Sequence, residues 1–247
     1  MKKLLWALVV TPVHVFSQIS PIITDRPDQT ESPFTVPAKH FQAETGFIFE
    51  HANDHERSFV YPTILFKYGL TDNFELRLVT NVTSTRTEGE TVSGLNPVEV
   101  GFKVNLLKEK GIIPTTSFIG HLSIPAFATD KLKATYYAPS FRFTMQHTLA
   151  SKLSLGYNLG VEFDGETAEP EFIYTLTTDY IITDKLSTYI ELYGFAPQKS
   201  KADHRFDGGF AFLLQNNILV DLSGGFGITQ NAPDYYIAAG FSFRLKD

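Results

Sequence analysis

The 247-residue sequence contains no cysteine and no apolar run of the roughly 18 residues that a membrane-spanning helix requires. The absence of cysteine excludes disulfides and thiolate metal sites, and it is compatible with an oxidising compartment. Basic residues are in deficit, since 21 Lys and Arg stand against 27 Asp and Glu. A nucleic-acid backbone binds to a basic surface, so this balance argues against a nucleic-acid partner.

Aromatic residues, in contrast, are abundant: they form 14% of the chain, and Phe alone occurs 22 times. The clearest pattern is in residues 153–163, where odd-numbered residues are large and apolar and even-numbered residues are small or polar. A period of two is typical of a β-strand with one apolar and one wet face. Strands of about 9–11 residues cross a bilayer, whereas strands of globular proteins have about 5–6. The segment therefore favours a transmembrane β-barrel.

The chain begins with a basic segment, residues 1–3, which an apolar segment, residues 4–10, follows at once. Ser17 then offers a small residue at a cleavage point. This order predicts a secretory signal peptide over residues 1–17, in preference to an N-terminal core strand. The mature protein is therefore expected to be exported.

Residues 18–39 are rich in proline and show no periodicity. The prolines of this segment are Pro21, Pro27, Pro33 and Pro37. Proline donates no ladder hydrogen bond, so prolines at this density cannot join a central sheet. The segment is predicted to be an extended N-terminal arm that either enters a barrel as a plug or lies beneath it.

Alternating segments recur over residues 40–247 and predict an all-β fold, a transmembrane antiparallel up-and-down barrel of about twelve strands. The predicted strands cover residues 41–50, 59–69, 74–84, 96–107, 112–124, 134–148, 153–163, 170–182, 186–196, 205–214, 218–228 and 234–245. Tight turns and longer loops alternate strictly between them, as short periplasmic turns and external loops do in outer-membrane barrels. With an even strand number and a long first connection, both chain ends are expected on the periplasmic side of the outer membrane of a Gram-negative bacterium.

Along these strands, charged residues occupy one set of alternate positions, and large apolar residues occupy the other set. A Lys or Arg facing lipid at mid-bilayer would cost about 2–4 kcal/mol, so the shared phase predicts that the charges face the lumen. The predicted lumen-lining residues are Lys67, Glu75, Arg77, Glu99, Lys103, Arg142, Glu162, Glu191, Asp221 and Arg244. Glu44, Asp179 and Asp207 share the same phase, so carboxylates exceed cations among all the inward charges, which predicts a cation preference if ions pass.

Two stretches carry a family resemblance. The arm contains Ile23-Thr-Asp-Arg-Pro-Asp-Gln-Thr-Glu-Ser-Pro33, and a turn reads Tyr68-Gly-Leu-Thr-Asp-Asn-Phe-Glu-Leu-Arg77. With these stretches the mature chain resembles the MetA-pathway of phenol degradation family of outer-membrane barrels. The motif residues of the arm are Thr24, Asp25, Arg26, Pro27 and Asp28. One departure is the chain end, where Leu245-Lys-Asp247 follows Phe243 although barrels of this class commonly finish on an aromatic residue.

The resemblance implies export to the outer membrane, insertion by the barrel-assembly machinery and contact with outer-membrane lipid. It also implies passage of a small-molecule solute, often a hydrophobic one, without naming that solute or its binding residues. The function predicted here is therefore a transporter or channel for small molecules, hydrophobic or aromatic ones among them. The alternative is an outer-membrane barrel that transports nothing and serves a structural or partner-binding role.

No nucleophile elbow, phosphate loop or dinucleotide motif occurs in the sequence, so no catalytic residue, cofactor or metal site is predicted. One enzyme hypothesis remains open, an outer-membrane lipid hydrolase that uses His121 and Ser123, two residues apart on one strand face. The strand phase predicts that both side chains face the lumen, whereas a lipid hydrolase needs its nucleophile on the lipid side. This hypothesis is therefore the least favoured of the three.

Overall fold

The computed structural model describes residues 20–246, whose strands form one antiparallel sheet that closes on itself. The strands are β1 (His40–Asn53), β2 (Glu56–Thr71), β3 (Phe74–Thr87), β4 (Glu90–Leu95), β5 (Val98–Leu107), β6 (Thr115–Ile124), β7 (Ala138–Ala150), β8 (Leu153–Glu162), β9 (Glu171–Ile181), β10 (Leu186–Pro197), β11 (Asp203–Gln215), β12 (Ile218–Gly227) and β13 (Tyr235–Lys246). Strand β1 closes the sheet because it pairs with both β13 and β2. The predicted signal peptide, residues 1–17, lies outside the described residues.

Strands β4 and β5 together occupy one position in the barrel. Residues 82–87 of β3 pair with β4, whereas residues 74–79 of the same strand pair with β5. Asn96 and Pro97 separate the two strands, and the proline has no N–H to donate to a ladder. The barrel is therefore closed, antiparallel and twelve-stranded, which confirms the predicted fold class.

The predicted loop over residues 85–95 is wrong. Thr87 pairs with Glu90, so β3 and β4 form a hairpin whose turn is Glu88-Gly89, with φ angles of 52° and 94°. Two successive positive φ angles are what a tight type I′ turn requires. Glycine adopts such an angle readily but glutamate rarely does, so this turn has little signature in the sequence.

Two strands begin later than predicted. Strand β6 begins at Thr115, directly after Pro114, which lacks the N–H that a ladder bond needs. Strand β7 begins at Ala138, because the N–H of Tyr136 donates instead to the carbonyl oxygen of Gly165, over 2.8 Å, in the loop after β8. The connection before it contains two short 3₁₀ turns, Pro125–Phe127 and Asp130–Leu132. Pro62 lies within β2, at a shift of register where the pairing with β3 passes from Val60 to Thr63.

The barrel wall has polar side chains inside and apolar side chains outside, which is the reverse of their distribution in a soluble protein. Outward side chains are apolar and exposed on the isolated chain, as Leu159, Ile190 and Leu222 illustrate. Inward side chains are polar, and Lys67 and Glu75 are only 2% and 0% exposed. Such residues are almost never fully buried unless they are paired, so the inside of this barrel is an ionic interior and the outside is its lipid-facing belt. Within residues 20–246, no helix is long and apolar enough to cross a membrane.

A charge placed on the outward face should destabilise the barrel according to its depth. Leu222 faces outward in the middle of β12, whereas Leu245 faces outward near the end of β13. We expect Leu222→Arg to lower the free energy of unfolding by about 2–4 kcal/mol and the matched control Leu245→Arg by about 0–1 kcal/mol. Urea unfolding of the refolded protein in lipid vesicles measures both. Equal losses at the two positions would contradict the assigned membrane belt.

Candidate functional site

The arm, defined here as residues 20–39, lies inside the barrel and is fixed at both of its ends near short turns. The backbone N–H of Ile22 donates to the carbonyl oxygen of Asn216 over 2.7 Å, in the turn between β11 and β12. The N–H of Ala38 donates to Asp72 Oδ1 over 3.1 Å, in the turn between β2 and β3. Between these points the arm contacts residues in the middle of the strands. It therefore enters from the short-turn end, reaches into the lumen and returns.

Asp25 is the ionic centre of the arm. Its carboxylate accepts hydrogen bonds from Lys67 Nζ at 2.9 Å and from Arg77 Nη1 at 2.9 Å. Lys103 Nζ donates to it as well, over 2.8 Å. These four side chains, with Glu44 and Glu75 beside them, form the Asp25 cluster, all of them buried. The cluster combines three cations with three carboxylates, so its charges balance only when the arm is present.

Arg26 reaches another part of the wall, where its guanidinium binds Asp221 of β12 through Nε at 3.2 Å and Nη2 at 2.9 Å. Gly46 of β1 and Gly240 of β13 make room for this side chain. A Cβ atom at Gly46 would lie 2.7 Å from the guanidinium carbon, and one at Gly240 would lie 2.4 Å from Nε. Both distances are too short for real atoms, so the two glycines are required for the position of Arg26.

The arm then bonds to strands β8 and β10. The N–H of Glu31 donates to Asn158 Oδ1 over 2.7 Å, and Asn158 Nδ2 donates back to the carbonyl oxygen of Glu31 over 3.1 Å. The N–H of Gln29 donates to Glu191 Oε2 over 2.8 Å. Thr30 bonds to Thr175 of β9, with 2.6 Å between the two hydroxyl oxygens. The arm is thus bound to the barrel wall on several sides.

The inner face carries the ten residues predicted to line the lumen, and most of them bond to the arm. Besides the contacts already given, Arg77 Nη2 lies 2.6 Å from Glu31, and Arg142 donates to the carbonyl oxygen of Gln29 over 3.2 Å. Arg142 also pairs with Glu162 at 2.6 Å. Arg244 donates to the carbonyl oxygen of Ser20. Glu99 forms no hydrogen bond or ion pair with the arm among the described residues, and its nearest ion partner is His121 at 4.0 Å.

Several residues that fix the arm were not singled out from the sequence. Asn158, Thr175 and Thr30 are uncharged, and a polar residue on the wet face of a strand has no distinctive signature. Their common feature is visible only in three dimensions, because each lies opposite the arm. The glycines beside Arg26 belong to the same class of missed residues.

Two cavities remain in the lumen, one on each side of the arm. The larger, of about 520 Å³, opens toward the long loops and is lined by residues that include Asn81, Glu99 and Ser140. The smaller, of about 280 Å³, lies toward the short turns and is lined by residues that include Ser154, Asp179 and Tyr189. Arg26, Asp28 and Glu31 line both cavities, so the arm is the partition between them.

His121 and Ser123 both line the larger cavity and face the lumen rather than lipid. Arg77 Nε donates to His121 Nε2 over 3.1 Å, so that nitrogen is already occupied as an acceptor. A hydrolase would need a free imidazole nitrogen to take a proton from the serine. This arrangement does not favour the lipid hydrolase hypothesis. In the described part of the chain, no group of three or more His, Asp or Glu side chains is placed to hold a metal ion.

The family profile described as MetA-pathway of phenol degradation matches residues 24–245. The chain belongs to this family. The match covers the arm motif and almost the whole barrel, as the resemblance of the two quoted stretches predicted. A comparison with curated proteins finds no match.

Solved outer-membrane barrels share the fold of this family member. An outer membrane channel from Pseudomonas putida F1 has a TM-score of 0.69 at 11% identity, over 89% of this chain and 99% of that chain. The NanC porin has a TM-score of 0.56 at 10% identity, over 83% and 100% of the two chains. The KdgM porin has a TM-score of 0.55 at 10% identity, over 82% and 98%. At these identities, the likeness establishes the barrel fold.

Removing the charge of Asp25 should destabilise the protein through the cluster around it. Asp25→Asn leaves Lys67, Arg77 and Lys103 with one carboxylate fewer in a buried site. Breaking a buried ion pair by removing one partner costs about 3–5 kcal/mol, and we expect a loss of that order in urea unfolding. Asp54→Asn, the same change at an exposed hairpin turn, is the control and should alter stability little. Equal stability of Asp25→Asn and the control would contradict the anchoring role of Asp25.

Proposed function

We propose that this protein is an outer-membrane channel for small molecules whose lumen is narrowed by its own arm. The observation that carries this proposal is the presence of two cavities in the lumen with the arm between them. The larger cavity, at about 520 Å³, is within the range of about 300–1,000 Å³ that is typical of small-molecule sites. A twelve-stranded barrel is also wider than the eight-stranded barrels that side chains fill, and narrower than the 16–18-stranded porins.

The fixed arm limits the size of the solute. Its contacts with β8, β9, β10 and β12 hold it in place, so a solute has to use the cavities beside the arm while the arm stays seated. The lining combines charged groups with apolar side chains such as Leu65, Val79 and Ile119. Small solutes with both a polar and an apolar part, including the aromatic compounds that the family description suggests, suit such a lining.

The orientation follows the usual layout of such barrels. Ser20 and Lys246 lie at the same end of the barrel, because Arg244 bonds to Ser20 and Lys246 pairs with His40. This end also carries the short turns, which face the periplasm in outer-membrane barrels. We therefore propose that both chain ends are periplasmic, that the apolar belt contacts outer-membrane lipid and that the barrel-assembly machinery inserts the chain.

The test is the conductance of the refolded protein in a planar lipid bilayer. We expect small discrete steps for the wild type, and larger steps for a variant that lacks residues 18–39, because the partition between the cavities is then gone. A second variant keeps the folded arm: Arg26→Ala with Asp221→Ala removes both partners of one ion pair and widens the lumen between Gly46 and Gly240. It should also give larger steps.

Absence of steps in all three proteins, each shown to be folded by its heat-dependent mobility on gels, would contradict the channel. That result would favour the structural or partner-binding barrel, for which the closely bonded arm is the supporting observation. Equal steps in the three proteins would retain a channel but contradict the narrowing by the arm.

A further inference from the structure

We infer that the passage between the two cavities binds and conducts monovalent cations at Asp28. This inference rests on the proposed channel function and deepens it, because it names the class of solute and the residue that selects it. The cation is either an alkali ion or a small organic ammonium ion, since both present one positive charge to a carboxylate. The argument begins with the charges of the arm.

Asp28 differs from the other charged residues of the arm motif. Asp25, Arg26 and Glu31 each pair with a charged residue of the barrel wall. Asp28 has no ion-pair partner within residues 20–246, although it lines both cavities. A carboxylate at the partition of a lumen that forms no ion pair with the protein is free to bind a cation that enters from either side.

The wall that faces Asp28 is acidic. Gln29 and Thr30 both donate to Glu191 of β10, so the preceding residue of the arm lies against the same wall. Asp179 of β9 lines the smaller cavity together with Asp28, and Glu191 of β10 and Asp207 of β11 lie on the adjoining strands. Strands β9, β10 and β11, which carry these carboxylates, contain a single Lys or Arg.

That basic residue is Arg205, and it is already engaged. Arg205 Nε lies 2.9 Å from Asp203, and Nη1 lies 3.0 Å from Glu50. Its guanidinium also lies over the rings of Tyr193 and Phe195, at 5.9 Å and 5.4 Å from their centroids. The acidic wall is therefore not neutralised by a basic residue of its own strands.

A second observation within this wall is a pair of facing carboxylates. Glu191 and Asp207 are directly opposite each other in the β10–β11 ladder, and each is only 1% exposed. Tyr189 and Tyr236 donate to Oδ2 of Asp207, whereas Oδ1 is buried and has no hydrogen-bond partner in the described part of the chain. Like charges directly opposite each other destabilise a sheet, and a buried unpaired carboxylate is costly. A cation bound at Asp28, next to the arm residue that bonds to Glu191, reduces both costs.

The arrangement also limits the kind of cation. None of the His, Asp and Glu groups in residues 20–246 is placed to chelate a metal, which argues against a tightly coordinated divalent ion. Tyr189 lines the smaller cavity together with Asp28 and Asp179, and aromatic rings beside carboxylates attract ammonium groups and weakly held cations. Selection by fixed carboxylates along a lumen is the mechanism of many cation channels.

The test compares ion selectivity in full-length variants. In a planar bilayer with a KCl gradient, the reversal potential of the wild type should show a preference for K⁺ over Cl⁻. Asp28→Asn, which keeps the size of the side chain, should lose most of this preference. Asp184→Asn, the same change of charge in the exposed turn between β9 and β10, should retain it. An unchanged reversal potential in Asp28→Asn, or a wild type without cation preference, would overturn the inference.

A binding measurement separates this inference from the channel itself. Isothermal titration of the refolded wild type with potassium chloride, and separately with methylammonium chloride, should give saturable binding that Asp28→Asn loses and Asp184→Asn keeps. The salt that binds identifies the alkali or the ammonium class. Binding by a protein without conductance would keep the cation site and reject the channel. Absence of binding for both salts would mean that Glu191 and Asp207 merely share a proton, and it would overturn the inference.

Discussion

The structure depends on one buried carboxylate and the cations around it. Asp25 bonds to Lys67, Arg77 and Lys103, which lie 42, 52 and 78 residues further along the chain on three strands. Without Asp25, these strands would carry an excess of positive charge into the lumen. The barrel and its arm are therefore one ionic unit, and the arm's position follows from the charge of the wall that it meets.

The arm also divides the lumen into sides of different charge. Strands β2, β3, β5 and β7 supply the cations that bind Asp25 and Glu31, whereas β9, β10 and β11 supply carboxylates and tyrosines. The cationic side is saturated by the arm, so it serves to hold the arm. The acidic side is not saturated, so it is the side that is free to act on a solute. This asymmetry connects the packing of the arm to the proposed selectivity.

The strand pattern could be predicted from the sequence because lipid and lumen impose a period of two on every strand. The alternation in residues 153–163, together with the regular alternation of tight turns and longer loops, was enough to predict the twelve-stranded barrel. The Glu88-Gly89 turn could not be predicted, because it depends on a backbone angle that glutamate seldom adopts. The partners of Asp25 and Asn158 also could not be predicted, since charge and phase place a side chain in the lumen without specifying what it meets there.

The central claim is that the arm stays bound to the wall while solutes pass beside it. The most direct test is the double variant Thr30→Cys with Thr175→Cys, in which a disulfide would join the arm to β9. The two hydroxyl oxygens are 2.6 Å apart, and the natural chain has no cysteine to compete. We predict that the bond forms under mild oxidation and that the conductance steps are the same before and after reduction. Failure of the bond to form would contradict the position of the arm. If the oxidised protein gave no conductance steps and steps appeared only after reduction, the claim of an open passage beside the arm would be contradicted.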